Sequence, residues 1–180
     1  MGRAANWGLV PCLLSSLASA QYVKGIRSVP FSLPSHSFRA IPFETNEEHL
    51  DDTSLHDPKT SPTRFTAPVD GAYLLFGTVV YEKQAGGYIR NVCIIKNGDV
   101  VTGVLACNGL TSPNDCFAYE GCAASVAPTL TFLFAKDVVE FWGYQDSGKA
   151  VEIRHGSVAN SSFGAMMRMS TSPAPVPSGH

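Results

Sequence analysis

Charge is scarce in this chain. Asp, Glu, Lys and Arg make up 16% of its 180 residues, hydrophobic residues make up 44%, and the net charge is −2. There is no basic run, which argues against nucleic acid or an anionic membrane surface as a partner. No apolar stretch reaches the roughly 18 residues of a membrane-spanning helix. The five cysteines contain no two-residue-spaced pair and have no histidine cluster beside them, so no zinc site is marked. A collagen-like Gly-X-Y repeat is absent. No Ser-His-Asp, Cys-His or paired-carboxylate arrangement has a supporting context, and Gly86-Gly87 is not followed by the helix that a phosphate loop requires. The expectation is therefore a non-enzymatic protein with no catalytic residues, no metal ligands and no cofactor. Little charge with many large apolar residues also suggests more buried surface than one small domain holds, as in an obligate oligomer.

What is present is organised around residues 63–82. Phe65 closes a short strand, and Pro68 stops it because proline has no N–H for a ladder. Val69-Asp70-Gly71 turns the chain. Ala72 to Glu82 then reads as a long strand with Tyr73, Leu75, Val79 and Tyr81 on one face and Ala72, Leu74, Phe76 and Val80 on the other. A strand with one wet face would alternate apolar and polar residues. This one expects cover on both sides.

Further strands are expected at Phe38–Thr45 (with Pro42 marking an edge or bulge), Tyr88–Lys96, Asp99–Ala106, Val126–Ala135, Val138–Gln145, Ala150–Arg154 and Ser161–Ser170. Asn97-Gly98 is the strongest hairpin signal. Asn46–Pro62 and Asn108–Ala124 read as long loops. Short strands at regular spacing, with no convincing helix after residue 25, are the signature of an all-β sandwich. The chain divides into an N-terminal arm (1–36), a sandwich (37–170) and a flexible proline-rich tail (171–180).

Four motifs in register carry a family resemblance. They are the Phe65-to-Tyr73 turn pattern, Gly86-Gly87-Tyr88-Ile89-Arg90 leading into Ile94-Ile95-Lys96-Asn97-Gly98, Lys136-Asp137-Val138-Val139, and Ser161-Ser162-Phe163-Gly164-Ala165. Over about residues 37–170 the sequence resembles the globular head of the complement one-q / tumour necrosis factor jelly-roll superfamily. The resemblance implies a two-sheet jelly roll that assembles as a homotrimer through its inner sheets. It implies that Tyr88, Phe141, Trp142, Tyr144 and Phe163 lie on inner-sheet strands and contribute to the trimer interface. Either Phe141 or Trp142 must face away from the inter-sheet core, since neighbours on a strand alternate.

The N-terminal arm has two readings. Residues 8–20, with Arg3 before them and Ala18 and Ala20 near their end, can be a secretory signal. Alternatively, Leu13, Leu14 and Leu17 form one apolar stripe of a docking helix started by Pro11 and ended by Gly25. Residues 22–34, including Val29 and Phe31, read as a proline-stiffened extended segment that must lie on its own domain, a second subunit or another protein. Cys93 is expected as a buried apolar filler. Cys107, Cys116 and Cys122 flank one loop, and either two of them form a disulfide or all three stay reduced. The five histidines fall on expected loops and strand ends, where a solvated role is the default. Glu47, Glu48, Asp51 and Asp52 lack the regular ligand spacing of a calcium loop and read as a solvated face. Asn160-Ser161-Ser162 is a glycosylation sequon.

Two functional classes follow. The favoured one is a virion surface protein of phage type, a capsid decoration or a tail or fibre appendage. It would attach to another virion protein through residues 1–36 and present its loops to a host-surface ligand. The alternative is a secreted recognition module that binds proteins or glycans. Carbohydrate hydrolysis would need two carboxylates positioned across a cleft, and no such pair is marked in the sequence.

Overall fold

A computed structural model describes residues 21–47, 54–82, 86–110, 121–156 and 162–169. These contain twelve strands and no helix. They are β1 (Tyr22–Ile26), β2 (Phe31–Leu33), β3 (Ser37–Ala40), β4 (Thr45–Asn46), β5 (Phe65–Thr66), β6 (Gly71–Glu82), β7 (Arg90–Lys96), β8 (Val104–Leu110), β9 (Gly121–Leu133), β10 (Val138–Gln145), β11 (Val151–Ile153) and β12 (Phe163–Arg168). Two antiparallel sheets result. In the seven-stranded sheet β9 lies along one edge of β6, and β12 and β11 lie end to end along the other. β12 leads outward to β1 and β4, and β11 leads to β2. The five-stranded sheet runs β3-β10-β7-β8, with β5 also paired to β10.

The expected two-sheet all-β sandwich is thus the observed fold. β6 shows why. Its inward residues Tyr73, Leu75, Val79 and Tyr81 are all fully buried, and its outward residues are half-buried. Tyr81 also ties the sheets together: its hydroxyl donates to the backbone carbonyl of Asn91 on β7 and lies 3.2 Å from that of Tyr144 on β10. Burial holds that phenol well above its ordinary pKa, so it stays a donor.

The seat between the sheets is made of glycines. Gly25, Gly164 and Gly77 are cross-strand partners in one row over β1, β12 and β6. Rings fill the space their missing side chains leave. A Cβ on Gly77 would sit 2.7 Å from Phe141 Cε1, and one on Gly164 would sit 2.6 Å from Phe141 Cδ2. Phe141 meets Phe43 and Phe65 edge-on, with centroids 5.9 and 5.5 Å away. All three rings are fully buried, each contributing about 1.5–3 kcal/mol of transfer free energy. His56 stacks on Phe65 at 4.3 Å and is buried, not solvated as its loop position suggested.

Several boundaries move. Residues 22–33 are not a separate arm. β1 and β2 are strands of the seven-stranded sheet, with Val23 and Leu33 fully buried, so the sandwich begins near Tyr22 and not at residue 37. Val29 is exposed between these strands, and Phe31 packs against the core with Arg27 over its ring. Leu13, Leu14, Leu17 and the tail 171–180 lie outside the described residues. The 38–45 strand ends at Ala40. Beyond it Ile41 still donates to the Phe141 carbonyl, but Pro42 offers no N–H, and its carbonyl accepts Arg27 Nη1 at 2.6 Å. Asn97-Gly98 does form the tight turn, both residues having positive φ, with Asp99 N bonded to Lys96 O. Pairing resumes only at Val104, because Asp99 first winds residues 99–103 into an extra turn.

Substituting Gly77→Ala or Gly164→Ala forces a methyl into the Phe141 ring and is expected to cost about 1–3 kcal/mol. Gly71→Ala, whose Cβ would meet nothing nearer than 3.6 Å, should leave stability close to that of the parent chain. Chemical denaturation of the three variants checks this, and equal midpoints would refute the seat.

Candidate binding surface

The outward side of the seven-stranded sheet can be read from its register, because directly opposed residues share a face. One row crosses four strands as Tyr22, Met167, Leu74 and Leu130. The next holds Lys24, Ala165 and Phe76, and the one beyond it Ile26, Phe163, Thr78 and Ser125. Ala72 opposes Phe132. The face is therefore mostly apolar. Aromatic rings run along it: Tyr22 stacks on Phe76 at 6.2 Å, and Phe76 meets Phe163 edge-on at 6.4 Å. Lys24 Nζ lies 4.8 Å over the Phe163 ring and 2.9 Å from Glu47. Burial, with Glu47 adding to it, raises the Tyr22 phenol above its ordinary pKa. Thr78 and Ser125 satisfy each other through their hydroxyls at 2.8 Å.

Toward β9 the face becomes open. Leu130, Phe132 and Phe134 are 64, 56 and 59% exposed. Leu130 and Phe132 project from one side of β9, an edge strand that carries an extra residue at Ala127-Pro128 where the register against β6 shifts, and Phe134 follows its end with its ring against Phe132. Three large apolar side chains in succession on one edge, continuous with an apolar sheet face, form a patch of the kind that marks an interaction site.

The five residues expected to share an interface are not brought together. Phe163 lies on this face. Phe141, Trp142 and Tyr144 are on β10, which pairs with β7 and β3 and so belongs to the opposite sheet. Phe141 fills the core. Trp142 and Tyr144 look outward on that other side, where Trp142 packs on Phe38 at 5.1 Å. Tyr88 sits on the loop between β6 and β7, 77% exposed. Its backbone N–H and that of Ile89 donate to Asp146 Oδ1, each at 2.8 Å. Alternation fixes which neighbour faces inward but not the sheet to which a strand belongs. The large apolar residues on the outer side of the seven-stranded sheet beside Phe163 are instead Tyr22, Leu74, Phe76, Leu130 and Phe132. The signal for them was the double-sided apolar pattern of β6 and the Leu130-Phe132-Phe134 alternation.

Cys93 is not an apolar filler. It is opposed to Cys107 across β7 and β8, and the two form a disulfide with Cα atoms 4.1 Å apart. Cys107 is therefore not available to Cys116 or Cys122. Cys122 lies half-buried on β9 opposite Tyr81, and Cys116 lies outside the described residues. Among the described residues no group of three His, Cys, Asp or Glu side chains could hold a metal ion, and no helix is long and apolar enough to cross a membrane.

These features define a class: a jelly-roll sandwich of the tumour necrosis factor / complement one-q type. The solved structures it resembles are of that type. Murine APRIL superposes with a TM-score of 0.59 at 10% identity, covering 83% of this chain and 99% of that one. The Eiger tumour necrosis factor of S. frugiperda gives 0.60 at 10% identity, covering 87% and 97%. The globular domain of zebrafish complement 1qA gives 0.50 at 12%, covering 81% and 94%. At these identities the likeness is one of fold. No family model matches the sequence, and no curated protein matches it.

The turn between β7 and β8 in the five-stranded sheet is organised by Asp99. Hydrogen bonds from the Thr102 hydroxyl and from the Thr102 and Val101 amides hold its carboxyl at about 2, below the ordinary 3.8. A depressed folded pKa stabilises the turn above the unfolded value and loses that contribution as pH falls through the folded one. The turn around Val101, 81% exposed, is thus expected to keep its amide protection at pH 4 and lose it toward pH 2. NMR titration of the Asp99 carboxyl should give a midpoint near 2, and a midpoint near the ordinary value would refute the assignment.

Proposed function

We infer that this protein is a non-enzymatic extracellular binding module that assembles as a homotrimer through the outward face of its seven-stranded sheet. The observation that carries the reading is the apolar character of that face. It runs from Tyr22 on β1 to Phe132 on β9 and ends in side chains more than half exposed. A second copy of the same chain is the occupant this fold favours, and closing three such faces around an axis leaves no apolar edge unpaired. The Cys93–Cys107 disulfide supports an oxidising compartment, and the sequon at Asn160 is compatible with secretion. The loops at the two ends of the sandwich remain available to a ligand.

A place on a virion surface, the other class the sequence offers, shares the trimeric binding role but not the secreted setting. It rests on the apolar sequence of residues 9–18. Because β1 and β2 are strands of the sandwich, the attachment segment of this reading is taken as residues 1–20. Removing residues 1–20 should therefore leave the assembly intact, whereas removing residues 1–36 should abolish folding.

Phe76→Arg places a charge in the middle of the face and is expected to convert a species of three times the 19.2 kDa chain mass into a folded monomer. Trp142→Arg, on the opposite sheet, should leave the assembly mass unchanged. Sedimentation velocity reads both. A Phe76→Arg variant that keeps the parent mass would overturn the assignment of the interface.

A further inference from the structure

One charge interrupts the apolar outward face of the seven-stranded sheet. Of the three rows that cross β1, β12 and β6, the middle one carries it: Lys24, beside Ala165 and Phe76. The register extends this row to the end of β4. Gly25 opposes Asn46, and the Glu47 amide donates to the Lys24 carbonyl at 2.9 Å, so Glu47 stands opposite Lys24 on the same side. The sequence placed Glu47 on a solvated acidic face. Instead its Oε2 lies 2.9 Å from Lys24 Nζ, and the two side chains are 30% and 17% exposed. The ammonium also lies 4.8 Å over the Phe163 ring. It is held between one carboxylate and one ring face.

On a free chain such a pair is partly solvated and contributes little. Covering the face with another copy takes both charges out of water. A desolvated pair is tolerated only while both partners are charged, because losing one leaves a bare charge against apolar surface. Acid discharges the carboxylate and leaves the ammonium as it is. Among the described residues the titratable groups that face Glu47 are Lys24 and Tyr22, and the Tyr22 phenol is neutral in acid, its pKa being raised by burial and by Glu47. The neighbouring positions on β12 and β6 are Ala165, Met167 and Phe76, which do not titrate. No other carboxylate among the described residues pairs with Lys24.

We propose that the Lys24–Glu47 pair makes the assembly acid-sensitive. Ionised, the pair is a neutral unit that another copy of the chain can cover. With Glu47 protonated, an unpaired ammonium is left in the interface and the copies separate as folded monomers. Assembly is thus favoured while Glu47 is ionised and is lost as pH falls and the carboxylate takes up its proton. The proposal rests on the trimer reading of the same face and adds its regulation.

The test is sedimentation velocity of the full chain over a dilution series at about pH 7 and about pH 3, reading the concentration at which half the trimer has dissociated. The lower pH lies below the ordinary glutamate value of about 4.3. It lies above the value of about 2 at which the Asp99 carboxyl titrates, so that turn stays formed. The half-dissociation concentration of the parent chain is expected to rise at least about tenfold at the lower pH. Glu47→Gln should show the same rise at neutral pH, without acid. Lys24→Met removes the cation that needs a counter-ion and should assemble alike at both pH values. A parent trimer whose half-dissociation concentration is the same at both pH values would overturn the proposal and leave the trimer reading standing. So would a Glu47→Gln chain that assembles like the parent at neutral pH, or a Lys24→Met chain as acid-sensitive as the parent. A parent chain that stays monomeric at neutral pH throughout the series would overturn both.

Discussion

Everything in this sandwich depends on how closely the two sheets can approach at Phe141. Its ring comes from β10 of one sheet and enters a trough on the other, where Gly25, Gly164 and Gly77 stand side by side on β1, β12 and β6. Interiors are packed to crystal density, so even one added methyl is felt. The trough aligns three strands that are far apart in sequence and sets the place of the Phe43–Phe65–Phe141 cluster. With β1 locked into that row, the first described residues become part of the core. This is why the N-terminal segment cannot be peeled away as an attachment arm at residue 36.

The same geometry creates the apolar outer face. Once the odd residues of β6 point into the aromatic core, its even residues must point outward, and Leu74 and Phe76 then face solvent together with Phe163 and Leu130. The sequence of one strand thus sets both the core side and the apolar outer side of the sheet. The five-stranded sheet follows a different rule. Its outward residues include Glu140, hydrogen-bonded by Trp142 and Thr63, beside the exposed Arg64. One sheet presents an apolar outer face and the other carries charged and polar side chains on its own.

Much of the fold was legible in the residues. The two-sided pattern of 72–82, the Asn97-Gly98 turn and the limits of Val138–Gln145 all match the structure. The site was less legible. Alternation along β10 correctly demanded that one of Phe141 and Trp142 face outward, but sheet membership is decided by long-range pairing, which local pattern does not encode. That is why Trp142 and Tyr144 were expected on the sheet that carries Phe163 and lie on the other one. The Cys93–Cys107 bond was hidden for a similar reason: the two residues meet only when β7 and β8 pair in this register, 14 residues apart in sequence. His56 read as a solvated loop residue because nothing local shows that Phe65 stacks on it.

The central claim is that the apolar face of the seven-stranded sheet is covered by two further copies of the chain. Native mass spectrometry of the full-length protein tests this most directly. The account predicts one dominant species of three chains that persists on dilution. A monomer as the dominant species would contradict it, leaving the Tyr22-to-Phe132 face exposed and without the partner its composition demands.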